Sequence, residues 1–289
     1  MPQLFESIAI IGKYMNESAL QQMQTDLADL ARHLNAKDIE VWVEENTAQH
    51  AELTGFQTAS LDMIGKEVDL AIVMGGDGTM LSVARHLIDD NIPIVGINRG
   101  RFGFLTDLRA EDMLVAVDKI LSNHYQIESR MLLNATVLRA GRPIHKGLAF
   151  NDVVIKGGLR LIEITVEIDG SFVHKQRADG LIISTPTGTT AYALSAGGPI
   201  LHPNLEAIAI VPVSPHTLSN RPIAVNSASK IEVTLVQTDD GLLSYDGQFQ
   251  LMLEMGDRIL IERAEKEVTL LHPSEYCYFD MLRNKLNWG

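Results

Sequence analysis

The chain has 289 residues, with 46% hydrophobic and 21% charged side chains, an ordinary globular profile that excludes a fibrous or wholly disordered protein. At about 150 residues per domain its length suggests two domains. The formal charge of −13 argues against nucleic acid as a partner, because nucleic-acid binding relies on Lys and Arg neutralising phosphates. Any phosphorylated ligand must then be held by backbone N–H groups, a few placed cations or a metal.

The one cysteine, Cys277, permits no intramolecular disulfide and fits a reducing, cytoplasmic setting. The N-terminus has no basic segment followed by an apolar run, so no secretory signal is expected. No apolar run is long enough for a transmembrane helix, so no membrane partner is expected.

In chain order, Ser7–Ile11 reads as a buried strand ending at Gly12. Glu17–Leu34 reads as an amphipathic helix, with Leu20, Met23, Leu27, Leu30, Ala31 and Leu34 at helical spacing. Ile39–Val43 and Val68–Met74 read as strands, the second nearly all apolar, as for a strand buried on both faces. A helix from about Thr79 to Ile88 and a strand over Ile92–Ile97 complete an α/β pattern with a mostly parallel sheet. Beyond residue 130 short strands follow one another: Leu132–Leu138, Ala149–Lys156, Ile162–Ile168, Leu181–Ser184, Ile208–Val213, Ile231–Val236 and Arg258–Arg263. Turn signals such as Asp169-Gly170 and Asp246-Gly247 punctuate them, which predicts a mostly-β, sandwich-like C-terminal domain. The expected division is residues 1–130, 131–265 and a tail, 266–289, that adds a strand to either domain.

Three segments carry chemistry. In Gly75-Gly76-Asp77-Gly78-Thr79 a buried strand enters a glycine-rich turn and then a helix. Glycines 75, 76 and 78 allow close backbone approach, and with Thr79 at the helix N-terminus they form a phosphate loop. The loop sits where open α/β sheets bind ligands, outside the carboxyl ends of the strands. Asp77 would repel a phosphate. It therefore has another task, accepting a proton from an attacking hydroxyl or holding a metal, or else it is a turn or N-cap residue. The Walker A spacing and the G-x-G-x-x-G pattern are both absent.

The second segment is Ser184-Thr185-Pro186-Thr187-Gly188-Thr189-Thr190-Ala191-Tyr192. Its five hydroxyls suit a sugar or phosphate, or cap a helix at Thr189 or Thr190. In the third, Phe150-Asn151-Asp152-Val153-Val154, polar residues interrupt an apolar strand and are costly unless paired. They suit ribose hydroxyls, or mark a bulge or an exposed strand face. Nine histidines lack zinc-site spacing, and His216 and His272, each beside a proline, read as loop residues. Ser195 has no nucleophile-elbow context. Cys277 reads as a packed core thiol.

Taken in chain order and at their spacing, GGDGT, FNDVV and TPTGTTAY resemble the NAD kinase family of the bacterial, ATP-dependent kind over nearly the whole chain. The glycine loop alone is shared with lipid and sugar kinases; the Asn-acid pair and the TPTG motif are more specific. The resemblance implies phosphorylation of the adenosine 2′-hydroxyl of NAD to give NADP, with ATP and a divalent metal, Mg2+, which it assigns to no particular side chain. It implies that Asp77 is the proton acceptor and, with Gly78, lies close to the dinucleotide. Asn151 and Asp152 would hold ribose hydroxyls, and Arg177 and Asp179 match an R-x-D whose acid meets the nicotinamide end. Thr190, Ala191, Tyr192, Ala193, Leu194 and Ser195 would wrap the dinucleotide, Tyr192 against adenine. Arg160 and Gln248 align with further contact positions. Asp152 replaces the usual Glu, about one methylene shorter, and Thr189 replaces the usual Ser. The resemblance further implies a homo-oligomer, often a tetramer, with sites borrowing residues from neighbouring subunits.

Overall fold

The computed structural model describes residues 5–12, 17–100, 103–158, 160–217 and 219–288. The chain forms two compact units, Met1–Ser129 with Val268–Gly289, and Arg130–Glu267.

The first unit is α/β. Its strands β1 (Ser7–Gly12), β2 (Glu40–Glu44), β3 (Gln57–Ala59), β4 (Leu70–Met74), β5 (Ile94–Asn98) and β6 (Leu108–Arg109) pair in the order β6-β5-β4-β1-β2-β3. Every one of these pairings is parallel. All five residues of β4 and of β5 are buried, as in a parallel sheet covered on both faces. The covering helices are α1 (Glu17–Asn35), α2 (Glu45–His50), α3 (Leu61–Ile64), α4 (Asp77–Leu87) and α5 (Met113–Leu121). Met23, Leu27, Leu30, Ala31 and Leu34 of α1 all enter the core beside Ile8, Ile10 and Ile72, so these positions of the stripe read from the sequence are on the buried face; the side chain of Leu20 lies outside the described residues. β3, α2, α3 and α5 were not anticipated. The first three are only three to six residues long, too short to carry a periodicity.

The second unit is β-rich. Strand β7 (Tyr125–Arg139) enters it and pairs with β8 (Arg142–Ala149). The strands that follow are β9 (Asp152–Lys156), β10 (Ile162–Ile168), β11 (Ser171–Ala178), β12 (Gly180–Ser184), β13 (Ala207–Val213), β14 (Ile223–Asn226), β15 (Ile231–Gln237), β16 (Gly241–Tyr245) and β17 (Phe249–Leu253). One layer has the order β14-β13-β12-β9-β16-β17. Its inward residues Val153, Ile155, Leu181, Ile183, Ile208 and Ile210 share a core with Ile162, Ile164, Val166, Val233 and Leu235 of the facing strands β10 and β15. Alternation at period two makes this a sandwich. The other face of β12 is also buried: Ile182 packs with Val154, Ala209, Val211 and Ala193. Ala193 lies in a short helix, α6 (Tyr192–Ser195), so the segment carrying the TPTG motif lies on the sheet as a lid of main chain.

The last strand, β18 (Arg258–Pro273), pairs with β15 through Ile259 and Ile261 and, beyond residue 268, with Ile94 of β5 through Leu270. The tail residues 268–273 therefore extend the parallel sheet of the first unit, and α7 (Tyr278–Leu286) follows. Two readings are corrected here. His272 is a strand residue, 2% exposed, because the Pro beside it ends the strand and need not donate to a ladder. Cys277 is exposed, because it is the N-cap position of α7, where the chain turns at the surface. His216 does lie in an exposed bend. Among the described residues no helix is long and apolar enough to cross a membrane.

Candidate active site

In the first unit, β4 ends at Met74 and α4 begins at Asp77, two residues earlier than the sequence suggested. Gly75 N donates to Ile97 O at 2.9 Å, which fixes the turn on the sheet. A Cβ on Gly75 would lie 2.7 Å from Thr79 Oγ1, so the tight turn onto the helix requires glycine. Gly76 is the N-cap and Asp77 the first helical residue. Asp77 is therefore not a side-chain cap. Its two carboxylate oxygens accept hydrogen bonds from Phe104 N at 2.8 Å and Leu105 N at 3.0 Å. A Cβ on Gly103 would fall 1.9 Å from Asp77 Oδ1, so a glycine there is what lets the loop close on the carboxylate. Gly76, Asp77 and Thr79 are half-buried and Gly78 is exposed. The N-terminal turn of α4 thus lies partly open to solvent at its positive dipole end, the setting for an anion.

The second unit gathers the other two motifs. Thr185 N donates to Asn151 O at 2.9 Å and Thr185 Oγ1 to Phe150 O at 2.7 Å. A Cβ on Gly188 would sit 2.1 Å from the Asn151 carbonyl oxygen. Only glycine lets the TPTG turn rest on the Asn-Asp segment. Four of the five hydroxyl residues, Ser184, Thr185, Thr187 and Thr189, are buried and engaged within the protein. Thr189 Oγ1 donates to Pro186 O at 2.6 Å, and Thr187 Oγ1 accepts from Arg130 Nη1 at 3.1 Å. Half-buried Thr190 donates to Thr187 O at 3.1 Å. Ser184 Oγ donates to Thr185 O at 2.9 Å, so each of the five hydroxyls makes a hydrogen bond within the protein and helps to build the turn, as burial of a polar segment requires.

Asn151, Asp152, Ala191 and Tyr192 line one cavity of about 290 Å³, and Lys156, Ser244, Asp246 and Gln250 line it with them. Tyr192 is 44% exposed, leaving its ring available for stacking. Ser244 Oγ is buried and has no hydrogen-bond partner among the described residues. Asp246 occupies the β16–β17 turn with φ of +52°, followed by Gly247 at +68°, the left-handed pair that an Asp-Gly hairpin turn favours. Its carboxylate accepts from three successive amides: Phe150 N at 3.0 Å, Asn151 N at 2.7 Å and Asp152 N at 3.1 Å. Asp152 is 4% exposed. Burial, and then the negative charge of Asp246, push its carboxyl up to about 7, so near neutral pH it exchanges between a protonated form that can donate and accept and a carboxylate that only accepts. Burial also raises Tyr245, whose hydroxyl donates to Ala135 O at 3.0 Å.

The remaining expected residues lie elsewhere. Arg160 is exposed and paired with Asp239 at 2.6 Å. Arg177 and Asp179 are exposed on and just after β11, and Gln248 is exposed beside the Asp246 turn. Ala193 is in the core, Leu194 half-buried and Ser195 exposed. Sequence reasoning missed Asp246, Lys156, Ser244, Gln250 and Arg130. The Asp246-Gly247 turn was visible as a turn; that its acid closes on a segment 94 to 96 residues away was not.

A phosphate-type turn after a buried parallel strand, with a polar, aromatic-edged cavity in a β-rich unit, defines a nucleotide-handling phosphotransferase. A model of the ATP-NAD kinase N-terminal domain matches residues 8–125, and one of the ATP-NAD kinase C-terminal domain matches residues 150–272. The chain is 50% identical over 287 residues to an NAD kinase of Thiobacillus denitrificans, covering 99% of this chain and 98% of that one. It is 47% identical over 292 residues to an NAD kinase of Aromatoleum aromaticum, covering 100% and 96%. Among solved structures, an NAD kinase from Archaeoglobus fulgidus in complex with ATP superposes with a TM-score of 0.77 at 25% identity, over 98% of this chain and 100% of that one. Yeast NADH kinase complexed with NADH shares the fold with a TM-score of 0.86 at 24% identity, over 96% and 86%. The chain belongs to the NAD kinase family, whose members phosphorylate NAD to NADP using ATP.

Proposed function

We propose that Asp77 is the general base, accepting the proton of the adenosine 2′-hydroxyl of NAD as the γ-phosphoryl group of ATP is transferred to that oxygen. The observation that carries this reading is a carboxylate in the first turn of α4 with each oxygen fixed by one backbone amide. Its orientation is set in advance, and lone pairs remain for a hydroxyl proton. A ribose hydroxyl is a weak nucleophile, and a base within about 2.6–3.2 Å supplies what the sugar lacks. Phosphoryl transfer otherwise needs positioning and charge stabilisation. The glycine turn, Gly75, Gly76, Gly78 and Thr79, together with the N-terminal end of α4, is assigned to the phosphates.

The adenosine ribose is assigned to Asn151 and Asp152, the adenine to Tyr192, and the surrounding contacts to Thr190, Ala191, Ala193, Leu194 and Ser195. The support is that Asn151, Asp152, Ala191 and Tyr192 line one cavity. Arg160, Arg177, Asp179 and Gln248 are assigned to the dinucleotide on the resemblance of their motifs. Among the described residues no three His, Cys, Asp or Glu side chains cluster as a metal cage requires. The divalent cation, Mg2+, is assigned to the phosphates of ATP, where it would offset their charge. We place the protein in the cytoplasm as a homo-oligomer, a tetramer. Exposed Phe172 and Val173 on β11 and Phe249 and Met252 on β17 support self-association.

Incubation with ATP, magnesium and NAD, followed by an enzymatic assay for NADP, tests the reaction. An Asp77→Asn variant that binds NAD yet turns over at the parent rate removes the base assignment. Native mass spectrometry reads the subunit number.

A further inference from the structure

His272 is a buried titratable group that the proposed chemistry does not use. His272 Nδ1 lies 3.0 Å from Asp107 Oδ2, and its Nε2 lies 3.1 Å from Glu128 Oε2. Its ring stacks on Tyr276 with centroids 4.0 Å apart and planes 11° from parallel. A neutral imidazole has a single N–H and one lone pair; only the cation donates to both carboxylates. Burial works against that charge, but the hydrogen bonds and charges of Asp107 and Glu128 outweigh it and hold the imidazole pKa above its ordinary value.

Asp107 closes the loop 103–107, and the other end of that loop is what holds Asp77. Phe104 N and Leu105 N donate to the Asp77 carboxylate. Between these ends Thr106 Oγ1 accepts from Asn98 Nδ2 at 2.9 Å. The loop lies directly on β5, since a Cβ on Gly96 would come 2.7 Å from Leu105 O. The C-terminal helix adds a second tie, with Lys285 Nζ 5.3 Å from the centroid of the Phe104 ring. The last segment of the chain thus grips the same loop at Phe104 and at Asp107.

We propose that His272 is a positioning residue for phosphoryl transfer: its imidazolium anchors loop 103–107, so that the amides of Phe104 and Leu105 hold Asp77 in the orientation that the acceptor hydroxyl requires. The inference rests on the reading of Asp77 as the base. The groups facing His272 are Asp107 from the loop, Glu128 from β7 and Tyr276 from the turn after β18. Nearby Glu275 is paired with Lys119 of α5 at 2.5 Å on the surface.

The sign of the pH dependence follows. A histidine whose folded pKa is raised contributes its stabilisation fully below about 6.5, the unfolded value. The contribution is lost as pH rises through the folded value. Above it, one carboxylate faces an imidazole lone pair and the anchor loosens, so turnover falls on the alkaline side.

The test is His272→Gln, which keeps one donor and loses the charge, with kcat and KM followed from about pH 6 to about pH 9. Amide hydrogen exchange at Phe104 and Leu105 is followed in parallel. A drop in kcat of about tenfold is expected with both KM values within about twofold, since misplacing a catalytic group costs turnover more than binding. The alkaline limb should flatten, and both amides should show at pH 7 the reduced protection, relative to their intrinsic exchange, that the parent shows above the histidine pKa. Asp107→Asn, which keeps an acceptor and loses the charge, should shift all three readouts the same way and serves if His272→Gln does not fold. Folded variants with parental kcat, pH profile and exchange overturn the proposal. So does a loss of kcat with unchanged exchange at the two amides. If Asp77→Asn retains turnover, the base assignment fails, while the exchange data still decide whether His272 anchors the loop.

Discussion

Two carboxylates are held in the same way in two different regions, and their surroundings make them different instruments. Asp77 receives two loop amides at a helix N-terminus open to solvent. Asp246 receives three amides from the Asn-Asp segment and stands against a second, buried acid, Asp152. The first arrangement aims a charged group outward. The second uses a charged group inward, to shape the backbone and to make its neighbour hold a proton. On the proposed reading, the same amide-to-carboxylate geometry would serve reaction in one place and recognition in the other, and burial would decide which.

The largest effect that would break this comparison is at Asp77. Asp77→Asn keeps the size of the side chain and one acceptor, and kcat should fall by about 10²–10⁴-fold, the usual worth of a general base, with NAD binding preserved in a titration. Parental turnover would make Asp77, like Asp246, a structural anchor.

Next is Asp246→Asn. One carbonyl oxygen cannot serve three amides, and leaving a buried donor unmet costs about 1–3 kcal/mol. The KM for NAD should rise about tenfold or more, with a smaller change in kcat, in steady-state assays. The same change lifts the charge that holds Asp152 up, so the pH dependence of NAD binding should move to lower pH. Unchanged KM would mean that the three amides do not shape the cavity.

Asp152 sharpens the contrast through pH. Its folded pKa of about 7 exceeds its ordinary carboxylate value, so the native state holds more protons than the unfolded chain between the two values. The contribution of Asp152 to stability therefore falls as pH rises from about 4 to about 7, by on the order of a few kcal/mol at most. Asp152→Asn should flatten that dependence, with Tm above the parent's at pH 8 and near it at pH 4 in a thermal melt. A Tm profile parallel to the parent's would place Asp152 in an ordinary, solvated setting.

The smallest effect is at Arg160, whose pairing with Asp239 is on the surface. Arg160→Ala should change stability by less than about 1 kcal/mol, read as a Tm within a few degrees of the parent's. A rise in the KM for NAD would then report the assigned ligand contact alone.

Helical spacing, apolar runs and glycine clusters were enough to find α1, β1, β4, β5 and most of the C-terminal strands, because amphipathic periodicity and turn chemistry are local. The same locality located the glycine turn and the Asn-Asp and TPTG segments. Helix α5, Met113–Leu121, carries an amphipathic signal that went unread, whereas β3 and α3 are too short to have one. What depended on distant partners was not legible. Thr187 looked like a ligand hydroxyl until it met Arg130, 57 residues away. His272 looked like a loop residue until β18 carried it between Asp107 and Glu128.

The sequence by itself determined the family, the two kinds of fold and the position of each motif, since these depend on residue type and near spacing. Only the tertiary structure decided which polar groups are occupied with holding the chain together and which are left for a ligand. A hydrogen-bonding group buried by folding must find its partner wherever the fold brings one, and that partner is rarely a neighbour in sequence.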